Sequence, residues 1–570
     1  MVKSAGMGLR TEAQQWRWWQ AGLVALSGVL MAIALPPWSL WPVAWVGLVP
    51  LWWVVLVTPS VPLAATYGLL WGLVYYGMSL AWITHLHPLM WMGVPWGSSV
   101  AIALSAWIFI VLWGSVCIAV WGGAIAWLAR RWPGRSLWLV LAGTALWCAL
   151  EALRNHSPLD WSPLSLTQSP SNLWILHLAR LSGPGTITAI LVATNGLLAL
   201  ALAAGRRQTE LPHPSTPGQT HRSAPTIHPS TPGQTHRSAP TIHPSTHPPI
   251  HPSTPPLPLL LSALALAIAG HALGAILHAS TAAAPDGQVL TLGLIQGNVP
   301  TREKLTPQGV RQALQGYTDG YLALVNEGVD AVVTPEGALP QLWNPNSPQI
   351  AAILQTVEQA GIPLWLGSFA PVPGAGRSQY TQSLLEIRPD GQTYGRYDKV
   401  QLVPLGEYIP FEAVLGRLIS RLSPLDSYLV PGAPQQEFIT SLGQGTVGIC
   451  YESAYSRLFR PQTRLGGEFI ITASNNDPYP FWMMVQHHGF DVLRAVESDR
   501  WAIRVTNTGL SGVVDNHGRT LWLGEPQTYL THRATLERRQ TLTPYIRWGD
   551  WLTPLLLGAT LVLGCRKNQR

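Results

Sequence analysis

GTVGICYE, residues 445–452, is the stretch around which the second half of this chain is organised. An apolar run that ends on a cysteine and then turns polar is typical of a core strand that delivers a nucleophile. Two earlier segments end in a similar way, since AVVTPE closes on Glu336 and YDK closes on Lys399. Because Glu336, Lys399 and Cys450 are far apart in sequence, only the fold can bring them together.

The composition is that of a polytopic membrane protein. Of the 570 residues only 11% are charged, 47% are hydrophobic and 28 are tryptophan, which is far from the usage of soluble domains. The net charge of +7 does not indicate nucleic-acid binding, because the basic residues lie mostly at the ends of apolar runs, where they act as topology signals. A chain of this length can hold two or more domains.

Cysteine usage singles out one thiol. Cys117, Cys148 and Cys565 lie in apolar runs, where cysteine behaves as a small hydrophobe. Cys450 is the one cysteine of the polar second half, so no disulfide can form within that half and a reactive thiol is predicted.

Apolar runs of about 20 residues are long enough to cross a membrane as helices. We predict about eight such helices: six within residues 1–211, a seventh at 257–279 and an eighth within 548–570, which ends in a basic tail. The first is interpreted as a retained anchor, because no signal-peptide cleavage site follows it. The predicted spans are roughly 20–35, 38–57, 62–84, 98–129, 136–153, 183–204, 257–279 and 548–565.

The basic residues predict the orientation of these helices. With eight spans, the basic clusters all fall on one side, which by the positive-inside rule is cytoplasmic. Residues 280–547 are then on the outer face, the same side as the loop at 85–97, which has no Lys or Arg. The clusters are Lys3, Arg10 and Arg17; Arg130, Arg131 and Arg135; Arg206 and Arg207; and Arg566, Lys567 and Arg570.

Residues 212–256 have a different character. HPSTPGQTHRSAPTI at 213–227 is repeated without change at 228–242, and the tract is rich in Pro, Ser and Thr. Its seven histidines could bind Zn or Ni, but so few large apolar side chains cannot form a core. We interpret the tract as a disordered cytoplasmic linker.

Residues 159–181 are too interrupted by Pro and Ser for a span and too apolar for a free loop. We expect this segment on the outer membrane surface, near the soluble half.

The region 280–547 alternates between predicted strands and helices, which indicates a layered α/β fold. Ser347 followed by Pro348 is a good helix start. The predicted strands are 289–299, 331–336, 363–370, 383–388, 445–451, 469–474, 501–507 and 510–515, and the predicted helices are 307–328, 347–361, 453–466 and 482–500.

Five motifs resemble a known domain. TPEGALP, YDKVQLVPLGEYIPF and GICYES, with QGNVP ahead and SNNDPYPFW behind, are similar to the carbon–nitrogen hydrolase (nitrilase-like) domain. Joined to membrane spans, the chain resembles the apolipoprotein N-acyltransferases, bacterial enzymes that add a third acyl chain to lipoproteins. The resemblance covers nearly the whole chain apart from the repeated tract, and it implies a nitrilase-like α-β-β-α sandwich for residues 280–547.

The resemblance also implies a catalytic triad. Cys450 is the nucleophile, Glu336 the general base and later acid, and Lys399 the cation that stabilises the oxyanion. A carboxylate at the position of Glu407 is used by family members near the triad, to position the base or the lysine.

Five further positions are implicated. Tyr451 and Glu452 match the family's CYE and are expected to line the pocket, with the backbone N–H of Tyr451 as a second oxyanion donor. Arg494 is either a structural or a substrate-orienting arginine. Family members often carry Trp at the positions of Leu305 and Tyr479, where the acyl chain or lipoprotein is held, so substrate binding here is expected to differ in detail.

The implied reaction is ping-pong and uses no cofactor and no metal ion. A phospholipid donates its acyl chain to Cys450, and the α-amine of a diacylglyceryl apolipoprotein accepts it. The implied setting is the inner membrane, with the catalytic half on the periplasmic side, in contact with the lipid bilayer, and we expect a monomer.

Two alternatives remain open at this point. One is a membrane-tethered amidase that uses the same triad on a small amide, although a single anchor would suffice for tethering. The other is a transporter or scaffold with an inactive soluble half, although polar residues within the spans are few.

Overall fold

The computed structural model describes residues 2–90, 93–210, 256–280, 289–372, 374, 379–404, 406–408, 428–477 and 479–565. The predicted linker at 212–256 lies outside these residues apart from its last one. The described chain has a helical first half, an α/β second half and two short C-terminal helices.

Helices account for most of the first 280 residues. Short 3₁₀ turns at Trp41–Val43, Ala81–Leu86 and Leu164–Gln168 separate several of them. The helices are α1 (Val2–Ile33), α2 (Ala44–Gly47), α3 (Val49–Val57), α4 (Val61–Ser79), α5 (Trp96–Arg131), α6 (Ser136–Asn155), α7 (Leu173–Leu176), α8 (Ala179–Ser182), α9 (Gly185–Glu210) and α10 (Pro256–Ala279).

Four helices within the described ranges are long and apolar enough to cross a membrane: α5, α6, residues 185–205 of α9, and α10. The predicted count of about eight is therefore not confirmed. The span predicted at 38–57 is divided into three short helical pieces, and Pro42 and Pro50 lie at the starts of two of them. Proline removes a backbone donor and favours a helix start over a helix interior.

The helices pack closely where small residues meet. A Cβ atom on Gly68 would lie 2.3 Å from the backbone oxygen of Ile118, and one on Gly72 would lie 2.5 Å from the Cα atom of Ser115. Helices α4 and α5 can approach this closely because these positions lack side chains.

Described strands of the second half form two sheets. The first has the order β14-β1-β2-β4-β5-β6, with β3 on β4 and β7 on β5, and the second has the order β13-β12-β11-β10-β9-β8. The strands are β1 (Val289–Gln296), β2 (Ala331–Val333), β3 (Leu339–Leu342), β4 (Leu364–Pro371), β5 (Gln379–Ile387), β6 (Thr393–Asp398), β7 (Tyr428–Leu429), β8 (Phe438–Thr440), β9 (Gly443–Ile449), β10 (Phe469–Ser474), β11 (Ala502–Thr506), β12 (Gly512–Val514), β13 (Thr520–Leu523) and β14 (Leu530–Glu537).

The two sheets pack face to face over an apolar core. Trp365 of β4 stacks on Phe469 of β10, with ring centroids 5.8 Å apart, and both sheets contribute buried residues to one cluster. Helices cover the outer faces, so the second half is an α-β-β-α sandwich. These helices are α11 (Thr301–Lys304), α12 (Pro307–Asn326), α13 (Pro348–Ala360), α14 (Ser456–Arg464) and α15 (Phe481–Ser498), and α16 (Pro544–Trp548) and α17 (Leu552–Cys565) follow them.

Residues 159–181 lie against the α/β half, and they are largely buried. The Trp161 indole donates to Gln486 at 2.8 Å, and the Ser169 hydroxyl donates to the carbonyl of Gly489 at 2.7 Å. Gln486 and Gly489 belong to α15. The helical half and the second sheet therefore share one helix layer.

Candidate active site

The three residues of the predicted triad follow three different strands. Glu336 lies three residues beyond the end of β2, Lys399 directly follows β6 and Cys450 directly follows β9. All three are buried, with exposed fractions of 8%, 0% and 7% respectively.

Lys399 is bound by two carboxylates at once. Its ammonium donates to Glu336 Oε1 at 2.8 Å and to Glu407 Oε1 at 2.6 Å. Burial alone would lower the pKa of Lys399, but the two carboxylates outweigh burial and raise this pKa well above its usual value. Lys399 is therefore a fixed positive charge, and the structure places Glu407 beside it.

Asn475 connects the thiol with the predicted base. The Cys450 sulfur lies 3.8 Å from the carbonyl oxygen of Asn475, whose N–H donates to Glu336 Oε2 at 2.9 Å. Burial and the negative charge of Glu336 raise the pKa of Cys450 to about 12, while Lys399 acts in the opposite direction. The thiol is thus protonated near neutral pH, and a base has to remove its proton before or during attack.

The backbone at Cys450 is held in a strained conformation. Its φ of 53° lies in the left-handed region, which costs a non-glycine residue about 1–3 kcal/mol. The Cys450 carbonyl accepts hydrogen bonds from His487 Nε2 at 2.7 Å and from the Ser453 hydroxyl at 3.2 Å. These two bonds stabilise the turn that presents the sulfur.

Sequence reasoning did not identify His487, which lies in an ordinary helical segment and has no local signal. Its Nδ1 accepts from the Asn476 amide at 3.0 Å, so Nε2 carries the proton. Burial, together with the charge of Arg504, keeps the pKa of His487 well below its usual value. The imidazole is a neutral donor that positions Cys450.

A buried ion pair lies beneath this turn. Arg504 pairs with Asp491 and also donates to the hydroxyls of Ser474 at 2.6 Å and Ser453 at 3.1 Å. Since Ser453 in turn donates to the Cys450 carbonyl, Arg504 supports the backbone of Cys450 through Ser453.

Glu452 lies directly after Tyr451 and is held by hydrogen bonds on both of its carboxylate oxygens. It is fully buried, and its carboxylate accepts from the backbone N–H groups of Val400 at 2.6 Å, Gln401 at 2.9 Å and Ile449 at 2.7 Å. The hydroxyl of Tyr397 donates to it at 3.1 Å. Glu452 therefore ties the segment that follows Lys399 to the strand that precedes Cys450.

The side chain of Tyr451 reaches the helical half. Its hydroxyl accepts from the N–H of Asp160 at 3.0 Å and donates to the carbonyl of Pro158 at 3.3 Å. Its ring lies parallel to that of Trp161, with centroids 6.0 Å apart. The residue next to Cys450 is thus part of the contact between the two halves.

Tyr479 and Leu305 lie at partly open positions. Tyr479 packs edge-on against Trp82 of the helical half, with centroids 5.1 Å apart, and burial, followed by the nearby Cys450, raises its pKa. Leu305 is 41% exposed. Tyr479 therefore lies close to both the thiol and the helical half.

Arg494 is not part of this group of residues. It is buried in α15 and forms an ion pair with Glu497 at 3.0 Å, with its guanidinium over the ring of Phe459. These contacts favour the structural alternative.

Lys304 is a second buried cation that sequence reasoning did not identify. Its ammonium has no hydrogen-bond partner within the described ranges, and it lies 3.9 Å from where a Cβ on Gly337 would be. Burial lowers the pKa of Lys304 to about 8, although the charges of Glu336 and Asp477 oppose the change.

Comparison with protein families gives two matches. Residues 27–197 match the apolipoprotein N-acyltransferase N-terminal domain, and residues 291–539 match the carbon-nitrogen hydrolase family. Among solved structures, an amidase from Nesterenkonia sp. matches 49% of this chain over its own full length, at 17% identity and a TM-score of 0.35.

Relatives named apolipoprotein N-acyltransferase match along nearly their full length. The protein from Nostoc sp. is 42% identical over 541 residues, which is 93% of this chain and 96% of that protein. The protein from Thermosynechococcus vestitus is 44% identical over 95% of this chain and 94% of its own length. The protein from Synechocystis sp. is 38% identical over 92% and 96%.

Proposed function

The chain belongs to the apolipoprotein N-acyltransferase family, and we propose that it works through a thioester on Cys450. The acyl donor is a phospholipid, and the acceptor is the α-amino group of the diacylglyceryl-cysteine at the N-terminus of a lipoprotein. The product is a triacylated lipoprotein.

The observation that carries the catalytic roles is the Lys399 ammonium shared by Glu336 and Glu407 beside the buried thiol. Glu336 accepts the thiol proton as the sulfur attacks the ester carbonyl carbon of the phospholipid. Lys399 stabilises the negative charge that develops on the carbonyl oxygen, and Glu407 holds this lysine in place. The backbone N–H of Tyr451 is the second donor to this oxygen.

Collapse of the tetrahedral intermediate breaks the bond to the glycerol oxygen, which takes its proton from Glu336. A lysophospholipid leaves and the acyl group stays on Cys450. In the second step the α-amine of the lipoprotein attacks the thioester carbonyl and Glu336 accepts a proton from the amine. The carbon–sulfur bond then breaks, and the Cys450 sulfur takes this proton from Glu336 and leaves as the thiol. Thioester to amide is downhill, so these steps need no energy source beyond the donor ester.

The proposed topology extends the four long apolar helices to about eight spans. The basic clusters between the runs support two cytoplasmic termini, with residues 280–547 on the periplasmic side of the inner membrane. The domain limits are 1–211, 212–256, 257–279, 280–547 and 548–570, and the enzyme acts as a monomer. The acyl chains of both substrates then stay in hydrocarbon while their polar ends reach the thiol.

An assay with purified enzyme, phospholipid and a diacylated lipopeptide tests the proposal. We expect the peptide mass to increase by one acyl group with the wild type, and no increase with Cys450→Ala or Cys450→Ser. Without acceptor, intact-mass analysis should detect one acyl group on Cys450. Transfer by a correctly inserted Cys450→Ala variant would refute the mechanism, and release of free fatty acid without peptide acylation would favour a hydrolase.

A further inference from the structure

Three histidines meet where three parts of the chain come together, away from the catalytic thiol. His177 lies in the buried segment between α7 and α8, His278 in the last turn of α10, and His517 in the turn between β12 and β13. One nitrogen atom from each residue lies within 4.8 Å of the nitrogens of the other two.

The free nitrogens of these rings are buried and lack partners. His177 is fully buried, and its Nδ1–H donates to the carbonyl of Leu173 at 2.8 Å, which leaves the Nε2 lone pair available. Nε2 of His177, Nδ1 of His278 and Nδ1 of His517 are buried and have no hydrogen-bond partner in the part of the chain that the structure describes. Buried polar atoms are rarely left without a partner, so an additional bound group is expected here.

The charges around the cluster do not exclude a cation. Arg180 donates to the carbonyl of Leu277 at 2.9 Å and pairs with Asp499 at 3.8 Å. Arg519 pairs with Asp515 at 2.6 Å. Arg180 and Arg519 are therefore each paired with a carboxylate, and Asp499 also pairs with Arg539 at 3.1 Å.

We propose that His177, His278 and His517 form a binding site for a divalent transition-metal ion of the Zn²⁺ type, with water as the fourth ligand. Neutral imidazoles are common ligands of such ions, and the Leu173 carbonyl supplies the second-shell hydrogen bond that orients a metal-bound histidine. Tetrahedral coordination with Zn–N bonds of about 2.0–2.1 Å needs nitrogen atoms about 3.4 Å apart. Small side-chain rotations would bring the three rings to this spacing.

The metal would join the two halves of the enzyme without taking part in acyl transfer. Its ligands come from α10, from the segment that underlies the catalytic half and from a hairpin of the second sheet. The hairpin already packs on this segment, because a Cβ on Gly518 would lie 3.2 Å from Leu173 and 2.7 Å from Val496. A bound ion would fix this contact.

Zinc content of the full-length chain tests the proposal. The protein is purified in detergent with an affinity tag free of histidine, treated with a chelator and dialysed against Zn²⁺ alone. We expect His517→Gln to bind one zinc equivalent less than the wild type and the exposed-site control His156→Gln to bind the same amount. The seven histidines of residues 213–256 are present in all three proteins, so their contribution cancels.

A second variant and two further measurements complete the test. His278→Gln replaces His517→Gln if the latter does not fold. X-ray absorption should detect a zinc site with three imidazole ligands, and the signal of this site should be lost in the variant. Zn²⁺ should also raise the melting temperature of the wild type, since a ligand that binds only the folded state stabilises it. Equal zinc content in wild type and variant, or no thermal shift of the wild type at saturating Zn²⁺, would overturn the proposal.

Discussion

Lys399→Met removes the ammonium that Glu336 and Glu407 share, whereas Lys304→Met removes an ammonium that has no hydrogen-bond partner among the described residues. Both lysines are buried near the carboxylate of Glu336. The two variants are therefore a matched pair: the same chemical change, made once at a paired cation and once at an unpaired one.

We expect Lys399→Met to lower the stability of the folded protein and Lys304→Met not to lower it. Removing one partner of a buried ion pair costs about 3–5 kcal/mol, because a buried charge is left uncompensated. For Lys304, the pKa is lowered from 10.5 to about 8 in the folded chain. The unfolded chain therefore binds the Lys304 proton more tightly than the folded chain does. Its charge then destabilises the folded state by about 3 kcal/mol at pH 7, and this penalty is lost as the pH rises from about 8 to 10.5.

Thermal unfolding in detergent, followed by tryptophan fluorescence, measures both effects. At roughly 2–4 °C per kcal/mol, Lys399→Met should lower the midpoint by roughly 6–20 °C. Lys304→Met should leave the midpoint unchanged or raise it by up to roughly 12 °C at pH 7, and the difference from the wild type should shrink at pH 10. Equal losses in the two variants would refute the reasoning that pairing, and not burial alone, decides the role of each lysine.

Three further predictions concern the thiol, its support and the repeated tract. Glu336→Gln should abolish acyl transfer. It should also speed alkylation of Cys450 by iodoacetamide at fixed pH, because the charge of Glu336 raises the pKa of the thiol. Alkylation is measured by peptide mass spectrometry, and slower alkylation in the variant would contradict this. His487→Ala should lower kcat by about 5–150-fold with little change in KM, since a hydrogen bond of about 1–3 kcal/mol to the Cys450 carbonyl is lost. His487→Gln can still donate and should recover part of the lost kcat. An unchanged kcat in the alanine variant would argue against a positioning role. Deletion of residues 213–256 should leave transfer nearly unchanged in the lipopeptide assay, and a large loss would contradict the interpretation of the tract as a linker.

The site residues that sequence predicts are those that end an apolar run or lie in a motif of a known family. Glu336 and Cys450 each end an apolar run, and Lys399 and Glu407 lie in a recognisable motif. The central strands were also predicted to within a few residues, because they are buried on both faces and read as continuous apolar runs.

What sequence could not predict depends on contacts between distant segments. The four hydrogen bonds of Glu452 need the segment after Lys399 to lie beside β9, and the placement of His487 and Lys304 depends on how their helices meet the sheets. The strands that were missed include very short ones, such as β7 and β8, and the edge strands β13 and β14, whose exposed positions weaken the apolar pattern.

The hydrogen bonds between Tyr451 and residues 158–160 connect the helical half directly to the residue that follows Cys450. A shift of residues 158–160 would act on Tyr451 and, through one peptide bond, on Cys450. We therefore expect lipid thickness and lateral pressure to tune the turnover rate, and a catalytic half excised from its helices to lose activity even where it keeps its shape.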